Sequence, residues 1–512
     1  MAATAAPMTT AAAVGSPSML RPLVLAQFLC SYAASSLNVA ISAIAGDLGT
    51  NVTGVQTAIT VFTLTMAALM IPGSKLTDIL GRKRCFLIGL TIYGVGALVA
   101  SASSALVGLT VGYSLLQGLG TALLIPPVYI LATIFYRDMA SRARAFGAIS
   151  AAAGIGAALG PLVGGLITTS TSWRVSFLLQ AVLVLGIVFL ARKIEDVRPD
   201  RATAPRFDVS GAVLSAAGLC FVVVGILLTG TFGWFTAHQD FAIGGTVLIS
   251  EGGISPLWLF EGIAAILLLA FARHTRSVER AGGEPLLHSR MLQNRVADLG
   301  LLTQFLQWFI LLGLSFVISV YLQTVRGHNA VETGLILTPA TIGILAASML
   351  AERMAKRRAQ AAVIRGGFLL TAVGIFLLLL FVDSTSNLFT FVPGLLAVGI
   401  GVGAMLTASV NVVQSSFGEA DQGEISGLSR SVSNLGSSVG VALAGSVIVS
   451  PIVTGNQGYS LALVVLIVVA MIGVVASWLG PRGMREAAVQ AGGTAAGAAQ
   501  AASRKPDLRR AG

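Results

Sequence analysis

Apolar blocks of about 20 residues, long enough to cross ~30 Å of hydrocarbon as helices at about 1.5 Å per residue, recur fourteen times along this chain. They run over 22–44, 54–74, 86–103, 107–134, 146–168, 175–191, 210–230, 256–272, 298–322, 333–351, 363–382, 388–412, 426–449 and 459–480. In lipid every backbone N–H and C=O must be satisfied within the segment, so each block is expected to be a helix. A membrane β-barrel would instead alternate polar and apolar residues. Charged residues make up only 10% of the 512, too few to cover a soluble fold of this size, which would carry roughly 25%. The expected fold class is all-α integral membrane.

The net charge of +11 raises the question of nucleic acid, and the placement of the charges answers it. With the N-terminus on the inner side, all 32 Lys and Arg residues fall in inner loops, inner span ends or the C-terminal tail, except Arg174 and Arg326. Such a bias orients helical membrane proteins, and a miscounted span would scramble it. Both termini are therefore expected in the cytoplasm, and no nucleic-acid partner is expected. Cys30, Cys85 and Cys220 form no CxxC pair, and the four histidines are scattered through loops. No metal, no cofactor and no catalytic constellation is expected, so the chain does not read as an enzyme.

The chain repeats itself. Leu76-Thr77-Asp78-Ile79-Leu80-Gly81-Arg82-Lys83-Arg84 follows span 2, and Leu350-Ala351-Glu352-Arg353-Met354-Ala355-Lys356-Arg357-Arg358 follows span 10. Both read Leu-x-acid-x-x-small-basic-basic-basic. Spans 5 and 13 are both rich in Gly. Two six-helix halves, 21–192 and 298–482, around an inserted pair at 210–272 fit this repeat, with linkers at 193–209 and 273–297. Residues 1–20 and 483–512 are expected to be disordered tails. Parallel halves that rock about a midplane site are a transporter plan.

On the turn after span 2, Asp78 can cap a helix and pair with Arg82, a contact able to gate one end; Glu352 and Arg357 are its echo. In span 5, Gly156, Gly160, Pro161, Gly164 and Gly165 stand in one string. Glycines four apart let helices approach closely, and Pro161 removes a backbone bond. Taken with Ser172-Trp173-Arg174, Phe207-Asp208-Val209-Ser210-Gly211, Glu284-Pro285-Leu286-Leu287 and Tyr321-Leu322-Gln323, these motifs resemble the major facilitator superfamily, in particular its fourteen-span drug:proton antiporter family. The span 5 string resembles that family's antiporter motif.

The resemblance implies a cavity lined mainly by spans 1, 4, 9 and 12. Its polar and aromatic candidates are Tyr32, Asn38, Gln117, Gln304, Gln307, Trp308, Asn411 and Gln414. Apolar walls with few hydrogen-bonding groups suit amphipathic or hydrophobic small molecules. The resemblance also implies a multi-pass exporter in the plasma membrane, a monomer with the lipid bilayer as its surroundings and protons as the candidate coupling ion. The abundance of Ala, Gly and Arg over Lys points to a GC-rich bacterial genome.

Departures from the family pattern bear on coupling. Ala33 stands where span 1 of the family carries an Asp, Ser42 where a Pro follows, and Ser114 where span 4 carries an Arg. Without that Asp and Arg, proton coupling is expected to be atypical. Glu261 in span 8 is expected to snorkel to the interface, and Arg430, just inside span 13, to pair with Glu424 or with lipid phosphate. The alternatives are a transporter of another solute not coupled to protons, or a membrane sensor that keeps the fold without transport.

The orientation is directly testable. A cysteine introduced at Thr236, between spans 7 and 8, should react with a membrane-impermeant maleimide added outside intact cells. Reaction only after permeabilisation would invert the assignment.

Overall fold

The computed structural model describes residues 17–136, 139–192, 194, 207–243, 246–355, 360–383, 385–418, 421–449 and 457–479. Among them are fourteen helices long and apolar enough to cross a membrane: α1 (Met19–Asp47), α2 (Val52–Leu80), α3 (Arg82–Ser101), α4 (Leu106–Phe135), α5 (Gly147–Ser170), α6 (Trp173–Ala191), α7 (Val209–Phe232), α8 (Pro256–Arg280), α9 (Arg295–Val325), α10 (Ala330–Ser348), α11 (Gln360–Phe381), α12 (Leu388–Ser415), α13 (Gly423–Val449) and α14 (Gln457–Trp478). Short polar side chains start many of them by accepting the first free N–H groups, as the residue type favours. Asn51 caps α2 through Gly54 N at 2.9 Å, and Ser172, Asp208, Ser255 and Asn294 cap α6, α7, α8 and α9.

Two details differ from the sequence-based expectation. Helix α2 continues past Ser74 to Leu80, so Asp78 lies in its last turn rather than in a loop. Gly81 alone breaks the chain there, at a φ of 97° that only glycine adopts readily. Between α7 and α8 the chain also forms a small hairpin, β1 (Phe241–Ile243) with β2 (Thr246–Ile249), antiparallel.

The helices form two six-helix bundles and an inserted pair. In the first bundle α5 packs along α1, and α4 packs on α2 and α3. In the second α13 packs along α9, and α12 packs on α10 and α11. The Gly-rich helix therefore lies on the first helix of its own bundle in both halves. The approach is backbone to backbone. A Cβ at Gly156 would collide with Phe28 O, and one at Gly436 or Gly440 with Phe305 O or Phe309 O. Lipid tails are as apolar as Leu, so such close contact supplies the association that water would otherwise drive.

Across the bundles, α2 packs on α13 and α5 packs on α10. By the repeat these are the same contact made twice: the second helix of one half against the fifth of the other. The pair α7–α8 stands outside, with α7 against α2 and α13 and α8 packed mainly on α7. The two arginines off the basic face are both held. Arg174 pairs with Asp47 and donates to Ser103 O at 2.8 Å; Arg326 donates to Asp383 O at 2.9 Å and Ser386 O at 2.8 Å.

Candidate functional site

The interface of α2 and α13 is built from small polar side chains on backbone carbonyls. Gln56 Nε2 donates to Val441 O and Ala442 O at 3.2 Å each. Ser438 donates to Thr60 O at 3.0 Å, Ser431 to Ala67 O at 2.5 Å and Ser74 to Gly423 O at 3.2 Å. Thr60, Ala67 and Ser74 are spaced by seven, so one stripe of α2 makes the set. On the other side Gly165 meets Ala330 O and Gly334 meets Pro161 O with no room for a Cβ, and Val331 N donates to Thr169 Oγ1 at 3.3 Å. Gly160, Pro161 and Gly165 of the span 5 string thus belong to contacts of α5 with α1 and α10.

The face away from the basic loops carries a clamp that sequence reasoning did not single out. Helix α1 is interrupted by a 3-10 turn at Leu37–Ala40, and Ala40 sits at φ −104°, ψ 7°. Asn38 O and Ser42 N are four residues apart, the spacing of one α-helical bond. Here the side chain of Gln323, at the far end of α9, stands between them. Gln323 Nε2 donates to Asn38 O at 3.0 Å, and Gln323 Oε1 accepts from Ser42 N at 2.9 Å. A proline at position 42 would have no N–H to give. The only sequence signal for this role was Gln323 in the Tyr-Leu-Gln motif and the non-proline at 42.

The basic face is joined through a polar belt. Asp78 and Arg82 meet at 3.7 Å with both side chains partly exposed, and Lys75 pairs with Glu284 at 3.3 Å. Asp208 accepts from Gly211 N at 2.8 Å, from His274 Nε2 at 2.8 Å and from Leu286 N at 3.2 Å. Burial raises the Asp208 carboxyl, but these bonds outweigh it and hold the group below the usual carboxylate range. Glu279 takes Ser289 N and Oγ, Glu424 takes His288, and Arg290 pairs with Asp421 at 2.7 Å. The segment before α9 therefore ties α2, the inserted pair and α13 together. Glu352 falls in the last turns of the helix Ala330–Ala355, and Arg357 lies outside the described residues.

The interior is neutral where a coupling pair would sit. Ala33 is 1% exposed, and Ser114 donates to Ala58 O at 2.7 Å, sealing α4 on α2. Tyr32 turns into its own bundle, to Ser176 at 2.8 Å. Gln117 does likewise: its Nε2 and Tyr93 OH both donate to Gln180 Oε1, at 3.1 and 2.7 Å. In the second bundle Gln304 accepts from Ser429 at 2.8 Å, Gln307 from Ser409 at 3.2 Å, and Gln414 meets Ser426 at 3.1 Å. Trp308 is half-buried and Asn411 exposed. Asn38 Oδ1, Gln117 Oε1, Gln304 Nε2 and Gln307 Nε2 are buried without a partner among the described residues. An unpaired buried polar atom is costly, and outside the inward-turned Gln117 each is a point at which a polar ligand atom is welcome. Glu261 is half-buried, and its Oε1 lies buried beside Gly225 of α7, also without a partner among the described residues.

If Gln323 holds this face shut, Gln323→Ala leaves a buried carbonyl and N–H unpaired, a loss of about 1–3 kcal/mol. A cysteine at Ser319, which is fully buried, should then react with an external thiol reagent roughly tenfold faster, as each 1.4 kcal/mol implies. An unchanged rate would show that the clamp does not hold the face.

Comparison with known proteins agrees with this geometry. The sequence profile of the Major Facilitator Superfamily matches residues 23–244, 209–441 and 301–506. The chain is 28% identical over 424 residues to a probable actinorhodin transporter of Streptomyces coelicolor, covering 80% of this chain and 68% of that one. It is 27% identical over 489 residues to the puromycin resistance protein pur8 of Streptomyces alboniger, covering 92% of each. Among solved structures, the peptide transporter POT in complex with sulfate superposes with a TM-score of 0.64 at 16% identity, over 92% of this chain and 96% of that one. At that identity the likeness is one of fold.

Proposed function

The chain belongs to the Major Facilitator Superfamily and is a secondary transporter of small molecules working by alternating access; from that premise we propose that it exports hydrophobic or amphipathic compounds, drugs or natural products, with atypical proton coupling. The observation that carries the coupling claim is the buried, uncharged pair Ala33 and Ser114. A carboxylate at the middle of α1 would titrate between the two sides and bias the rocking equilibrium, and Ala33 has nothing to titrate. An Arg at position 114 would tune such a carboxylate; losing both leaves neither charge stranded in low dielectric. The names of the antibiotic-handling relatives support export.

In this reading the halves 21–192 and 298–482 rock about the α2–α13 and α5–α10 contacts, with the inserted pair at 210–272 following. The basic face is cytoplasmic, in a bacterial cell membrane, and the protein acts as a monomer. Asp78 with Arg82, and Glu352 with Arg357, gate that face. Gly156, Gly160, Pro161, Gly164 and Gly165 provide the close packing on which α5 pivots. Asn38, Gln304, Gln307, Trp308, Asn411 and Gln414 meet the substrate, and Tyr32 and Gln117 stiffen the first bundle behind it.

Substrate flux in proteoliposomes tests this. Sulforhodamine B, an amphipathic dye of net negative charge, should cross with native protein at a rate little changed by an imposed pH gradient, and equally in Glu261→Gln. Flux that requires the gradient would overturn atypical coupling. Its loss in Glu261→Gln would assign the coupling proton to the inserted pair.

A further inference from the structure

Arg430 lies seven residues into α13, about 10 Å from the helix start at 1.5 Å per residue, and is half-buried. It does not pair with Glu424, whose carboxylate is taken by the backbone N–H and ring of His288. Asp421 is likewise engaged, with Arg290 at 2.7 Å. The contact Arg430 makes is with a neutral group across the bundles: its Nη2 donates to Tyr129 OH of α4, with the ring centroid 5.1 Å from the guanidinium carbon. Next in sequence, Ser429 holds Gln304, whose Nε2 is one of the unpartnered buried amides. Among the described residues no carboxylate stands within ion-pair distance of Arg430.

A guanidinium this far into an apolar helix bundle, with a phenol as its partner, is expensive unless it serves a ligand. Its planar fork has five donors, and one is used among the described residues. It also sits between α4 of one bundle and α13 of the other, so rocking of the bundles would draw it away from Tyr129 and free it. From this placement we propose that Arg430 is the anion-binding group of the transport site, and that the preferred substrates are amphipathic organic anions: an apolar or aromatic body bearing one carboxylate, sulfonate or phenolate. A carboxylate matches the fork with two parallel charge-assisted bonds. A cationic substrate meets like charge there with no acid among the described residues in ion-pair reach to offset it. This inference rests on the transport reading above for its biological sense, but its test is binding.

The test uses three pyrene probes that differ at the terminal group: pyrenebutyrate, its neutral amide, and pyrenebutylammonium. Affinity for full-length protein in phosphatidylcholine nanodiscs is read by energy transfer from tryptophan to pyrene. Native protein should bind the carboxylate roughly tenfold or more tightly than the amide, the scale of one lost charge-assisted contact, and the ammonium weakest. Arg430→Gln should abolish the preference, Arg430→Lys should keep the order of the three probes but with a smaller margin for the carboxylate because the fork is lost, and Tyr129→Phe should leave it intact or strengthen it. Equal binding of the three probes by native protein, or a preference that survives Arg430→Gln, would overturn the proposal. So would loss of the preference on doping the nanodiscs with phosphatidylglycerol, which would mean that the site takes lipid headgroups. Should Arg430→Gln fail to insert, the order of the three probes on native protein and the Arg430→Lys result still decide. Charge-selective binding without flux in proteoliposomes would sink the transport reading and leave this one standing.

Discussion

Two halves of a membrane protein that must both adhere and move cannot rely on burying apolar surface, because the surrounding lipid is equally apolar. Here adhesion comes from backbone polar groups meeting short side chains. Along α2 and α13, Gln56, Ser438, Ser431 and Ser74 each reach a carbonyl of the other helix, and on α5 and α10 glycines let the backbones touch. Such bonds are individually modest, about 1 kcal/mol, and a hydroxyl has other carbonyls a turn away. The interface is therefore one that can be remade in a second geometry at little cost.

The remaining polarity follows from that arrangement. Each bundle turns part of its amide bonding inward, as with Tyr93, Gln117 and Gln180, so few of its side-chain amides bridge the moving surfaces. Stronger contacts lie at the ends, with Gln323 bridging the broken turn of α1 on one face and the belt around Asp208, Glu284 and Glu424 on the other, and deeper in at Arg430 and Tyr129. The inserted pair takes part in that belt through Asp208 and His274. It is coupled to both halves while α8 stays largely outside them.

Much of the fold was legible because its signals are local. Apolar length and the side of each Arg fixed fourteen spans, and the echo of Asp78 at Glu352 marked the repeat that recurs in space as α2–α13 and α5–α10. Features that depend on distant partners were not legible. Gln323 reaches α1 across 281 positions, and nothing local announces the 3-10 turn that receives it. Phe207-Asp208 and Glu284-Pro285-Leu286 read as separate motifs, yet one Asp208 carboxylate accepts from Leu286 N. Arg430 and Glu261 were judged by their depth along one helix, which cannot show whether a neighbouring helix covers them. The same limit separates Tyr32 and Gln117, turned inward, from Asn411, which is exposed.

The central claim is that the halves rock as bodies about these two interfaces, opening one face as the other closes. Spin labels at Gly46 and Phe389, both exposed on the face of the Gln323 clamp, report one opening; labels at Leu80 and Leu292, exposed at the basic face, report the other. Pulsed electron–electron distance measurements on the two pairs should give two populations each, with substrate or Gln323→Ala lengthening the first distance as it shortens the second. Distances that stay single, or that lengthen together, would contradict alternating access by rigid rocking.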